Sequence, residues 1–137
     1  QMYFDERIDI HHIFPRAYCQ ERGIEPRKYD CIVNKTPLSA KTNRMIGGKS
    51  PSVYLERLQK TAGITEERMK EILNSHVINY EAMKLDDFET FFNLRYIALL
   101  DRIEKAMGKQ INRDNTLDNT ISTDDREDDM ESSDIEA

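Results

Sequence analysis

Apolar and polar positions along the chain change their period near residue 50. Before that point the pattern is short and mixed. Arg7-Ile8-Asp9-Ile10-His11 alternates and is rich in β-branched residues, which predicts a short strand. Pro15 opens a short helix over residues 16–22, stopped by Gly23 just past its end. Glu25-Pro26 reads as loop. Residues 30–36 form a second strand candidate closed by Pro37, and Ser39 can cap a short helix over residues 40–45 that Gly47-Gly48 ends.

Past residue 50 the helical period takes over. Ser50-Pro51 starts a helix to about residue 60, and Gly63 breaks it. Thr65 caps a second to about residue 74. Asp86 or Asp87 caps a third that runs to Met107, with Gly108 just beyond. In this last helix Phe88, Phe91, Phe92, Leu99, Ile103 and Met107 recur at three- and four-residue steps, the mark of a core-facing stripe. His76 falls between helices, where a lone histidine is expected at the surface or a helix end.

Composition changes the picture mainly through charge. The 137 residues carry a net charge of −6, which taken alone argues against nucleic acid as a partner. The charge is unevenly placed: residues 1–60 hold 11 Lys/Arg against 7 Asp/Glu, residues 61–111 hold 7 against 9, and residues 112–137 hold 2 against 10. The front is mildly basic and the acidity is mostly a tail. That tail has almost no large apolar residues and is expected to be disordered, because it buries too little to offset the entropy of ordering. No apolar run is long enough to span a membrane and no secretory signal opens the chain, which points to a cytoplasmic protein. Cys19 and Cys31 are too few for a disulfide scaffold and not spaced as a zinc knuckle, so both are expected to be reduced, buried or half-buried thiols. Gly47-Gly48-Lys49-Ser50 echoes the end of a phosphate loop but lacks the upstream glycine, position 43 being Asn.

Two features in residues 9–50 carry candidate chemistry. Asp9-Ile10-His11-His12-Ile13-Phe14-Pro15 sets adjacent imidazoles at the end of a strand, and imidazole both binds divalent metals and accepts a proton near neutral pH. Asn34 stands nine residues before Asn43, with Lys35, Lys41, Arg44 and Lys49 around them. An Asn inside an apolar strand suggests a polar task. The plainer alternatives are that Asn34 pins a loop through backbone hydrogen bonds and that the cations form an ordinary solvated face.

Together these residues resemble the HNH nuclease motif, the ββα-metal finger. His11-His12-Ile13-Phe14-Pro15 fits its first element, Asn34 its second and Asn43 its third. The stretch Asn34-Lys35-Thr36-Pro37-Leu38 and the run Asn43-Arg44-Met45-Ile46-Gly47-Gly48-Lys49-Ser50-Pro51 are similar to the C-terminal nuclease domain of GmrSD-type restriction endonucleases, as is residues 87–95. Those proteins act in bacterial defence against phage, often on modified DNA. The resemblance implies an α+β fold, with a ββα-metal core of a short β-hairpin plus helix followed by a mostly α-helical extension. The nuclease domain would cover residues 1–111, with its core at 7–50 and the extension at 51–111, leaving 112–137 as tail.

The resemblance also assigns roles. His12 would be the general base that activates water, and Asn34 would orient the His12 ring or the surrounding loop. His11 and Asn43 would hold one divalent metal, joined by Asp9 on the same strand face as His11. Mg²⁺ or Mn²⁺ ranks first, while an imidazole ligand also suits Ni²⁺ or Zn²⁺. Lys35, Lys41, Arg44 and Lys49 would neutralise DNA phosphates. Many members have Asp where this chain has His11. The 22-residue interval from His12 to Asn34 is long for a minimal unit and is expected to hold the helix at 16–22 as an insertion. The N-terminal nucleotide-using domain that such proteins usually carry is not in this sequence, implying a C-terminal part of a larger protein. Double-strand cutting would call for a homodimer or two successive nicks. Two alternatives stand beside this reading: a non-catalytic nucleic-acid-binding or protein-interaction module on an HNH scaffold, and a structural zinc site formed by the paired histidines.

Overall fold

The structure is a computed structural model and describes residues 7–108. It is α+β, with seven α-helices and one two-stranded antiparallel sheet among the described residues. The expected disorder of residues 112–137 lies outside them. Strand β1 (Ile8–His12) pairs with β2 (Lys35–Ser39) in the register Ile8↔Ser39, Ile10↔Pro37 and His12↔Lys35. Between the strands come α1 (Arg16–Glu21), α2 (Pro26–Tyr29) and a 3-10 turn, Ile32–Asn34. Five helices follow: α3 (Ala40–Ile46), α4 (Pro51–Ala62), α5 (Glu66–Ser75), α6 (Tyr80–Lys84) and α7 (Phe88–Met107).

The second strand differs from its expected place. It begins at Lys35 rather than at residue 30, because the backbone of Ile32–Asn34 is wound into the 3-10 turn and the Asn34 amide donates to Cys31 O at 2.9 Å. Pro37 lies inside the strand instead of ending it. Both strands of a two-stranded sheet are edges, where a missing amide proton is tolerated. Glu25-Pro26, expected as loop, starts α2, with Pro26 at its first position. The short helix α6 was also not expected; Asn79 caps it by accepting from Ala82 N at 2.8 Å.

Other helix ends follow the sequence signals. The Ser39 hydroxyl accepts from Thr42 N, Thr65 from Arg68 N and the Asp87 carboxylate from Thr90 N, each at 3.1 Å. Ser50 makes no such bond for α4. Asp86 takes that task from 34 residues away, accepting from Ser52 N at 2.8 Å and from Ser52 Oγ at 2.6 Å.

The core is organised by α7. Phe88, Phe91 and Phe92 are buried, and the fully buried Phe14 sits among them, 4.9 Å from the Phe91 ring and edge-on to Phe88 at 5.2 Å. The stripe does not stay buried to the end of the helix. Leu100 is buried, but Ile103 and Met107 are exposed because the last turns of α7 run beyond the packed elements. Cys19 and Cys31 are buried free thiols, and burial followed by the Asp30 charge pushes Cys19 up to about 12. Among the described residues no helix is long and apolar enough to cross a membrane.

Candidate active site

The end of β1 and the segment after it are held by one side chain. Asn34 is completely buried, and its amide group donates to Phe14 O at 3.0 Å and Tyr29 O at 2.9 Å. Its carbonyl oxygen accepts from Phe14 N at 2.8 Å, while its backbone oxygen accepts from Ile13 N at 2.7 Å. Asn34 therefore fixes the loop that follows His12 and ties it to α2, its side-chain bonds running to backbone atoms of Phe14 and Tyr29. Tyr54 reinforces the same place from α4, donating its hydroxyl to Ile13 O at 2.6 Å.

His12, the last residue of β1, is buried and lies with Nε2 2.9 Å from Oδ1 of Asp30. A carboxylate at Nε2 favours the tautomer that carries its proton there. The Tyr29 ring packs 6.4 Å from the imidazole, between centroids. Asp30 escaped the sequence reading. It stands 18 residues from His12 at the end of α2, and only the turn into Ile32–Asn34 brings it back to the strand end. Its only sequence signal was a carboxylate four residues before the motif asparagine.

The register sorts the other candidates by face. Side chains alternate along a strand, so His12 and Lys35 share one face, while Asp9, His11, Thr36 and Leu38 share the other. Helix α3 lies against the Thr36–Leu38 side, since Thr42, Met45 and Ile46 line one cavity with those two residues. Asn43 stands on the same helix, next to Thr42. His11 is buried, Asn43 half-buried and Asp9 exposed. Among the described residues no three His, Cys, Asp or Glu side chains gather into a metal-holding group. Any ion there would rest on the His11 imidazole, the Asn43 amide oxygen and the Asp9 carboxylate, with oxygens of water and phosphate completing its shell.

Lys41, Arg44 and Lys49 are exposed on α3 and the turn after it, as a phosphate-contacting role requires. Lys35 is not. It is only 6% exposed, because strand pairing sets it directly opposite His12 and turns it inward, so it belongs to the wall of the site rather than to its charged surface.

Behind the site, α7 contributes an unexpected cation. Arg95 is buried, and its Nη1 donates to Val33 O at 2.7 Å and Lys35 O at 3.0 Å, one on each side of Asn34. Its Nε and Nη2 donate to His76 O at 3.2 and 2.9 Å. Burial lowers the guanidinium to about 10, still charged at neutral pH. His76 is the C-cap of α5, as a helix-end residue should be, but it is half-buried and bonded rather than solvated. Its Nδ1 lies 2.8 Å from Thr36 Oγ1. Desolvation, and then the Arg95 charge, lower its pKa.

No protein-family model matches the chain, and no solved structure matches it. Among curated proteins it is similar to the uncharacterized protein MJ0686 of Methanocaldococcus jannaschii, 34% identical over 114 residues. The match covers 71% of this chain and 20% of that one, so the chain spans about a fifth of the length of this relative.

Proposed function

We propose that this domain is a metal-dependent HNH-type endonuclease that hydrolyses DNA phosphodiester bonds, as the nuclease part of a modification-dependent or anti-phage restriction protein. The observation that carries the reading is the pairing of His12 with Asp30 at the end of β1, on a loop fixed by the buried Asn34. An imidazole whose tautomer is set by a carboxylate and whose backbone is immobile is suited to general-base catalysis.

In this reading His12 takes a proton from water as the water attacks phosphorus, and Asp30 steadies the imidazolium that forms. Asn34 keeps the strand end in place. Lys41, Arg44 and Lys49 hold neighbouring phosphates without regard to sequence, a contribution that weakens with salt. His11 and Asp9, on the other face of β1 from His12, would hold the divalent ion with Asn43, so that the reading requires base and ion to meet at one phosphate across the strand end; Mg²⁺ or Mn²⁺ is favoured by the two oxygen donors. The ion, when bound, supplies charge stabilisation at the scissile phosphate and its leaving oxygen.

Plasmid nicking tests the proposal. Cutting is expected with Mg²⁺ or Mn²⁺, is stopped by EDTA, and falls by roughly 10²- to 10⁴-fold in His12→Ala. Metal-dependent cutting that survives His12→Ala would overturn the mechanism. DNA binding without cutting by the unmodified chain would favour the non-catalytic module instead.

A further inference from the structure

A cavity of about 570 Å³ opens behind the sheet, between β2, α3, α4 and α5. Protein interiors hold few voids larger than a water molecule, whereas small-molecule sites occupy roughly 300–1,000 Å³. This space is of the second kind. Its walls are mainly aliphatic, with Met45, Leu58, Ile64, Met69 and Ile72 among them, and methionine adapts easily to an irregular guest. The lining residues Lys41, Thr61 and Ala62 are exposed and mark its opening to solvent.

Its polar content is small and directed. Thr36 and His76 both line it and are joined through Nδ1 of the ring. Arg95 holds the His76 backbone by two further bonds, so ring and backbone are each anchored. Among the described residues nothing hydrogen-bonds to His76 Nε2. The lowered pKa of His76 keeps the ring neutral at pH 7, so it offers a hydrogen bond and no charge. Lys41 carries the only formal charge on the lining at that pH, and it is exposed at the opening, where an ion pair contributes little. A charged guest would leave water and find no opposite charge inside.

We propose that this cavity binds a neutral, largely apolar small molecule bearing one hydroxyl, its apolar body on the α4 and α5 side chains and its hydroxyl on His76 Nε2. A hydroxyl both donates and accepts, so it suits either tautomer of the ring. The inference does not depend on nuclease activity. It does reach toward the same residues, because Ile13 and Thr36, which line the cavity, adjoin His12 in sequence and pair with His11 in the sheet.

The test is calorimetric titration of the full chain with 4-propylphenol, propylbenzene and 4-propylbenzoate. The phenol is expected to bind saturably and about fivefold more tightly than propylbenzene, the difference of one hydrogen bond. The benzoate should bind weakest. Ile72→Trp fills the space and should abolish binding of the phenol, while His76→Phe should keep propylbenzene binding and erase the preference for the phenol. In the unmodified chain, NMR signals of the His76 ring should move with the phenol and stay with propylbenzene, which keeps the polar contact testable should His76→Phe fail to fold. Absence of saturable binding by all three probes, tightest binding by the benzoate, or unchanged phenol affinity in Ile72→Trp would overturn the proposal.

Discussion

Nε2 of His12 and Oδ1 of Asp30 stand 2.9 Å apart, joined across 18 residues by the turn that also buries Asn34. The His12 side chain is 5% exposed and that of Asp30 is 23%, so one end of the pair is sheltered and the other reaches solvent.

In the proposed reaction Asp30 is a positioning residue. Asp30→Asn retains the size and can still accept through its oxygen, but it loses the charge that steadies the imidazolium. Nicking is expected to fall roughly ten- to a hundredfold, the range seen when outer partners of site histidines are removed. The loss should appear in the maximal rate with DNA affinity unchanged. Equal loss of DNA affinity would assign Asp30 to binding.

Asn34 satisfies three backbone groups with one side chain. Asn34→Ala removes the partner of Phe14 N and of Tyr29 O, leaves Phe14 O only the Cys19 thiol, and should cost about 2–4 kcal/mol in urea unfolding. Asn34→Asp is expected to be at least as damaging, because a carboxylate would face the carbonyls of Phe14 and Tyr29 with no proton to donate. A neutral effect of either substitution would contradict the bonding described.

Arg95 ties α7 to both sides of Asn34 and to the corner at His76. Arg95→Met keeps much of the side-chain bulk but leaves the carbonyls of Val33, Lys35 and His76 without these donors, at a cost on the order of 3 kcal/mol. Amide hydrogen exchange in residues 32–36 should speed up more than exchange at the far end of α7. Uniform acceleration along the chain would argue against a local clamp.

The lowered pKa of His76 gives the fold a pH dependence of fixed sign. Between its folded value and the ordinary 6.5 the unfolded chain binds more protons, so stability rises with pH in that window. The contribution is fully present above 6.5 and is lost as pH falls through the folded value. His76→Gln should therefore show a flatter stability profile than the unmodified chain as pH falls below about 6.5. An unchanged slope in the variant would show that His76 is not the source.

Residue-level signals made much of the framework legible. Ser39, Thr65 and Asp87 cap helices as their types predict, and the paired histidines fall at a strand end because alternation ahead of them fixes β1. Local chemistry suffices for such features, since a cap or a strand period is decided within a few residues. The limits of β2 were not legible, because Asn34 chose its turn through bonds to Phe14 and Tyr29 rather than through its own propensity.

The sequence by itself thus determined the α+β class, the helical second half, two reduced thiols and the order of His11, His12, Asn34 and Asn43. Only the tertiary structure decided that Asp30 faces His12, that Lys35 turns inward, and that Arg95 and His76 close the back of the site. These relations join residues 18 to 62 positions apart, the strand pairing that buries Lys35 among them. Such pairs form because buried polar groups must find partners wherever the packed chain brings them, and no local pattern records which partner that will be.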